Sequence, residues 1–413
     1  MMRYYPFLII LMLCSCSLGD REAHSELVNK VIKVDLNEVQ PLNLSSFVDR
    51  LEYHYLESPK NRPIGRVRKI IPFQDHVGLY DAGRASIWIY TMNGEYVNEV
   101  EVPRGRGPGE LEQVVDIIIS DDGLIHALGT FKIVVYDLEG NFRNQVDYQF
   151  RIYRFTYLPD TQEYIGYASN SMNLNQSSEH AGHNLIFFDE DGNITRSFLP
   201  IGTGREQIGY GVPNKFPVHN GQIFFFAHLE NEIFSVSSTG VKPVMELNFG
   251  NYTIPEAVFE RRGIYSDIPF EWRDFMEKEI YANNYITFLS SVNILDNFIH
   301  LRYGSRSEQF NSIYNRVTGE IMTGPSRMVN DIDHNFVPFF FESTGESLIT
   351  VIESHDFLTR MNEIYEEKPA IYNGSEMREL RRLAHNLSEN SNPILQIAKL
   401  KNPAGKEPLS NKY

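Results

Sequence analysis

A short phrase recurs along this chain and constrains its fold more than any other feature. Lys132–Gly140 (KIVVYDLEG) has counterparts at Ser86–Gly94 (SIWIYTMNG), Asn184–Gly192 (NLIFFDEDG), Ile233–Gly240 (IFSVSSTG) and Asn311–Gly319 (NSIYNRVTG). Each is an apolar or aromatic strand that enters a polar turn, closes on glycine and continues as another strand. The closing glycines step by 46, 52, 48 and 79 residues. A spacing of about 40–50 residues leaves room for one four-stranded sheet per unit, which cannot bury its faces alone and must stack on its neighbours. The expected fold class is all-β, a six-bladed β-propeller, and at 413 residues one ring takes most of the chain.

Four strands per unit follow from the apolar runs. Blade 1 is expected over residues 64–102, blade 2 over 114–148, blade 3 over 152–199, blade 4 over 215–249 and blade 5 over 285–322. Strand-like alternation at Val31–Leu36 and Leu51–Leu56 precedes the first full unit. Blade 6 is incomplete in the C-terminal half, where Val337–Glu342, Ser347–Glu353 and Ile394–Leu400 give three strands. Leu51–Leu56 supplies the missing outer strand, so that both chain ends close the ring and two sheet edges disappear. A short helix is expected over Ser375–Leu387, with Ser375 as N-cap. The long step between Gly240 and Gly319 comes from an insertion, residues 250–284, helical over Glu271–Tyr281.

The beginning of the chain reads differently. Arg3 precedes the apolar run Phe7–Leu13, the length of a signal-peptide core rather than of a membrane span. Leu13-Cys14-Ser15-Cys16 resembles the bacterial lipobox, which makes Cys16 the expected lipidated residue; a plain secretory signal cut near Ser17 or Gly19 is the alternative. The expected organisation is a signal peptide (1–16), a tether (17–30), a single propeller (31–402) and a tail (403–413). The only two cysteines are Cys14 and Cys16, so the remainder holds neither a disulfide nor a cysteine metal site. The lipobox, LEYHYLES, RGRGPGE, IVVYDLEGNF and NPILQIAKLK together resemble the bacterial six-bladed β-propeller lipoproteins, relatives in architecture of NHL-repeat and TolB-type propellers. That resemblance implies the propeller fold and a cell-envelope location and carries no catalytic residues with it; the expected location is the outer membrane, facing the periplasm or the surface.

The links that join one blade's outer strand to the next blade's inner strand all fall on one face of a propeller. Three of them combine glycine with arginine: Arg104, Arg106 and Gly107 between blades 1 and 2, Arg205 between blades 3 and 4, and Arg327 between blades 5 and 6. Converging backbone N–H groups and guanidinium forks suit a carboxylate or phosphate. Turn geometry and pairing with Glu110, Glu112 or Glu206 explain the same residues structurally. In the insertion, Tyr265 and Trp272 suit a sugar or peptide if the segment leans over the channel mouth, and otherwise pack it onto blades 4 and 5.

Signals for catalysis are sparse. The histidines are scattered, with no H-E-x-x-H and no G-x-S-x-G. His180 and His183 form a weak metal pair, and Asp189–Asn193 is a hairpin turn lacking the distal glutamate of a calcium loop. No metal or other cofactor is expected. A formal charge of −16 argues against nucleic acid as a partner. The expected function is a lipid-anchored envelope protein that binds an anionic glycan, a peptide or an envelope protein at its channel face. The alternative is an envelope lyase or hydrolase with its site at the channel mouth.

Overall fold

The computed structural model describes residues 30–59, 62–209, 215–265, 271–337, 342–367 and 374–402. The expected signal peptide with Cys16, the expected tether as far as residue 29 and the expected tail 403–413 lie outside them. Six small sheets form the ring of a β-propeller. Blade 1 holds Val67–Phe73, His76–Asp81, Ser86–Thr91 and Tyr96–Glu101. Blade 2 holds Asp116–Ile119, Ile125–Leu128, Lys132–Tyr136 and Phe142–Asp147, and blade 3 holds Arg154–Leu158, Glu163–Tyr167, His183–Phe188 and Ile194–Pro200. Blade 4 comprises Val218–His219, Gln222–Phe226, Glu232–Ser237 and Gly240–Asn248; blade 5 comprises Phe288–Ile294, Phe298–Gly304, Gln309–Asn315 and Ile321–Pro325. Blade 6 runs from inside outward as Glu342–Ser343, Ser347–Ile352, Ile394–Leu400 and Val48–Tyr55.

Blades pack face to face, so a middle strand is buried on both sides and reads as a continuous apolar run. Phe298–Gly304 is buried at every position. Neighbouring residues serve opposite interfaces, as strand geometry requires: Leu348 packs toward blade 5 with Leu295 and Phe298, whereas Ile349 packs toward blade 1 with Val77 and Trp88. A separate apolar core fills each of the six interfaces, including that between blades 6 and 1. At the channel wall Lys69 Nζ donates to Asp116 Oδ1 and to Ile117 O, each at 2.8 Å. Asp116 Oδ2 in turn accepts the Phe155 N–H at 3.3 Å, so three inner strands are tied together.

The recurring glycine has a double cause. In blade 3, Gly192 sits at φ 81°, and a Cβ there would run into the Asp147 carbonyl at the end of blade 2's outer strand. Gly94 stands in the same relation to Tyr55 of blade 6. The turn must adopt a left-handed conformation and also lie flush on the preceding blade, and glycine satisfies both demands.

The ring closes as expected from the sequence. Leu51 pairs with Ala398, Tyr53 with Gln396 and Tyr55 with Ile394 in antiparallel register. The alternation at Val31–Leu36 has a different destination from the first blade. Lys30–Lys33 adds a fifth strand to blade 4, parallel to Gly240–Asn248. The chain then crosses blade 5, where Gln40 N–H donates to Thr323 O at 3.2 Å and Leu42 O accepts the Val329 N–H at 2.8 Å, before entering blade 6. One N-terminal strap therefore lines the rims of three consecutive blades.

Two corrections concern the helices of blade 6. The helix Ser375–His385 has Gly374, not Ser375, at its N-cap position. A second helix, Ser354–Glu367, precedes it without having been expected. Phe357, Met361 and Ile364 of Ser354–Glu367 pack with Met377 and Leu380 of Ser375–His385, against Ile352 and Ile394. Of the expected inner strand 337–342, the described residues show pairing only at Glu342–Ser343.

Candidate functional site

On the face that carries the blade-to-blade links, three segments enclose a cavity of about 770 Å³. The link from blade 2 to blade 3 contributes Gln149–Arg151, Tyr153 and Arg154. The loop inside blade 3 contributes Ser169 and Ser171–Asn175. The link from blade 3 to blade 4 contributes Gln207, Gly209 and Lys215. Side-chain amides hold the three together. Asn173 Oδ1 accepts the Arg151 N–H at 2.7 Å, and its Nδ2 donates to Arg151 O at 3.1 Å, which fixes the backbone of that arginine. Asn175 Nδ2 and Gln176 Nε2 both donate to Gln149 O, at 2.6 and 2.8 Å. Asn170, buried against Asn184, donates from Nδ2 to Ile208 O at 2.7 Å and accepts the Gln207 N–H on its own carbonyl at 2.8 Å. Ser169, Asn170, Asn173 and Gln207 all have φ between 48° and 61°. Non-glycine residues in that conformation cost of order 1 kcal/mol or more each and persist where surrounding contacts enforce them.

The charges lining the cavity are of one sign. Arg151, Arg154 and Lys215 line it, with no carboxylate among its described lining residues. Lys215 is 1% exposed, and its Nζ has no hydrogen-bond partner among the described residues. That nitrogen lies 4.3 Å from the Phe226 ring centroid and 5.8 Å from that of Tyr167. Burial, with the Arg154 charge adding to it, pushes the ammonium well below the usual lysine range.

The seven residues singled out from the sequence are placed elsewhere; none lines this cavity or the central channel. Arg104 and Arg327 are exposed on their links, and Arg106 is exposed and paired with Glu112 at 2.6 Å. The Gly107 N–H donates to Glu110 Oε2 at 2.9 Å. Arg205 is buried and engaged throughout. Its Nη1 and Nη2 donate to the two Glu256 oxygens at 2.8 Å each, its Nε lies 3.1 Å from Glu230, and its guanidinium stacks 3.7 Å from the Phe259 ring centroid. Its partners are thus Glu256 and Glu230, while Glu206 pairs with Arg262 at 3.1 Å. Tyr265 belongs to the insertion's own core with Phe259, Phe275 and Ile280, and its hydroxyl donates to Glu279 at 2.8 Å. Trp272 is 37% exposed beside Arg273. Ile208 joins the insertion core, and Arg262 donates to the carbonyls of Gly204 and Glu206. The insertion therefore braces the link that forms one wall of the cavity.

The central channel forms a second space of about 690 Å³, lined by inner strands and by the turns after them, such as Gln74, Asp121 and Asp160. Those turns lie on the opposite face from the links. The histidines are mostly framework. His126 bonds Ser120 and Tyr164, His300 bonds Asn293 and Asn311, and burial pushes both imidazoles down to about 4. His180 and His183 bond Ser197 Oγ and Ala181 O. Among the described residues no three metal-ligating side chains form a cluster, and no helix is long and apolar enough to cross a membrane.

Sequence reasoning passed over Arg151, Arg154 and Lys215 because it looked for arginine beside glycine. The available signal was charge: Arg151-Ile152-Tyr153-Arg154 and the stretch Gln207–Lys215 carry cations and no acid in an acidic chain.

Comparison with known proteins agrees with this architecture. The "Putative exported protein" of Bacteroides fragilis NCTC 9343 superposes with a TM-score of 0.72 at 15% identity, covering 90% of this chain and 100% of that one. A member of the duf4221 family from Bacteroides vulgatus ATCC 8482 gives a TM-score of 0.48 at 10% identity, covering 86% and 97%. At 15% identity the likeness to the Bacteroides fragilis protein is one of fold. No curated protein matches the sequence. The family described as a domain of unknown function, DUF4934, matches residues 29–399, which is nearly all of the propeller, and the chain belongs to that family.

Proposed function

We propose that this protein is a cell-envelope propeller, held by a lipid on Cys16, that binds a ligand on the face carrying its blade-to-blade links. The cavity between blades 2, 3 and 4 is the binding site, and the reading assigns it no catalysis. The observation that carries this is the construction of the walls. Three segments from two links and one loop are cross-bonded by Asn170, Asn173 and Asn175 and keep four non-glycine residues left-handed. Such backbone costs stability, and sites shaped for a ligand are where it is commonly retained. The described lining holds amides, hydroxyls, cations and rings, groups that hydrogen-bond to and stack on a bound molecule.

Two experiments test the reading. The chain produced from Asp20 onward, screened on glycan and peptide arrays, should bind a defined ligand, and Ser171→Trp, which fills the cavity from a partly exposed position, should abolish that binding. Binding undiminished by Ser171→Trp would remove the cavity from consideration. For the anchor, Cys16→Ala should move the protein from the membrane to the soluble fraction of the envelope, and continued retention would exclude a lipid on that cysteine.

A further inference from the structure

The cavity's rim and its floor differ in chemistry. Three of the chain's exposed large apolar residues border it: Leu174 (78% exposed), Phe131 (47%) and Tyr153 (39%). Met172 continues that surface inward. Apolar side chains left in water around one opening mark a surface that something covers. Of the cations that line the cavity, Lys215 is buried, Arg154 half-buried and Arg151 exposed. Neither Arg151 nor Lys215 forms an ion pair among the described residues. A buried ammonium with rings around it and no acceptor is costly in the empty protein, and an arriving acid group removes that cost by supplying the acceptor. The volume of about 770 Å³ suits a molecule of small-ligand size.

We propose that this cavity receives a monomeric amphiphilic anion, its apolar body resting on Phe131, Tyr153 and Leu174 and its acid group held by Arg151 and Lys215. The inference rests on the reading that the cavity is the ligand site, and it specifies the ligand class. The protein's overall charge of −16 opposes long-range attraction of anions, so the head group is recognised at contact distance. Carboxylate, sulfate and phosphate heads share this chemistry.

The test uses the chain from Asp20 onward and the dye 8-anilinonaphthalene-1-sulfonate, with decanoate, decyl sulfate and decyl phosphate as competitors below their micellar concentrations. Decanol and decyltrimethylammonium serve as neutral and cationic controls. The expected result is one dye site, displaced at least tenfold more effectively by the anions than by either control. The ranking of the three anions identifies the preferred head. Lys215→Met and Arg151→Ala should each weaken binding about tenfold or more, and Leu174→Ser should weaken the decyl compounds more than decanoate's short-chain counterpart, butyrate. Arg151 is exposed, so its replacement keeps the test valid should Lys215→Met fail to fold. Decanol competing as well as decanoate, or both cation variants binding normally, would overturn the proposal. Displacement by phosphatidylglycerol vesicles but not by monomeric decanoate would overturn it as well, by pointing to a membrane surface. A neutral glycan found on the array and blocked by Ser171→Trp would overturn the anion assignment while leaving the cavity as the site.

Discussion

Arg205 shows how a single residue can be conspicuous in a sequence for a reason unrelated to binding. Its glycine-rich surroundings suggest an anion receptor, yet the guanidinium already has Glu256, Glu230 and the Phe259 face around it. Burial pushes the Glu230 carboxyl up to about 7 even with Arg205 beside it, so the cluster balances one buried cation against two acids. Glu256 is largely exposed and stays solvated, so removing the cation chiefly leaves the partly buried Glu230 uncompensated, at a cost of about 1–3 kcal/mol. Arg205→Met is therefore expected to lower stability in chemical denaturation by roughly that amount, and to open the insertion 250–284 to proteolysis. Adding Glu230→Gln should recover part of the loss. An Arg205→Met protein as stable as the wild type would show that the insertion is held by its apolar core alone.

Among the elements, the strand-turn-glycine phrase was legible because its cause is local and repeated. At Gly94 and Gly192 the turn also lies against the blade before it. The cost of violating this is testable by comparing two glycines with similar backbone. Gly192 (φ 81°) faces the Asp147 carbonyl, whereas Gly221 (φ 74°) has nothing within 4 Å of a Cβ position. Gly221→Ala should cost only the left-handed penalty of about 1–2 kcal/mol, and Gly192→Ala distinctly more; equal melting temperatures would refute the docking role. The outer strand Val48–Tyr55 was legible for a related reason, since a blade with three strands demands a fourth. The strand Lys30–Lys33 offered no such demand. Blade 4 was already complete, and four residues of alternation do not say which rim they join. The helix Ser354–Glu367 was hidden because its apolar face follows directly from the strand Ser347–Ile352. The cavity was the least legible part, because its walls come from three segments that only the ring brings together. Its polar anchors, Asn170, Asn173 and Asn175, look like ordinary loop residues.

For the whole molecule, the decisive contact joins residues from the two ends of the chain. Besides the strand pairing, Asn392 is fully buried, accepts the Ile64 N–H on Oδ1 at 2.7 Å and donates to Glu57 O at 2.9 Å, knotting the last blade to the first. Leu51 and Ala398 are direct cross-strand partners whose side chains share one core. Opposed residues in antiparallel strands lie within disulfide range. In the chain from Asp20 onward, which has no other thiol, Leu51→Cys with Ala398→Cys is expected to oxidise spontaneously and to add about 3–5 kcal/mol, since the loop it closes is nearly the whole ring. A pair that stays reduced, or that forms without raising the melting temperature, would argue that ring opening is not how this protein unfolds. The strap along blades 4 to 6 has one more consequence, which concerns orientation. Lys30–Lys33 runs parallel to Gly240–Asn248, a strand that travels toward the cavity-bearing face, so the polypeptide arrives at Lys30 from the opposite side. On the proposed reading in which Cys16 carries a lipid, the anchored side is the one opposite the cavity.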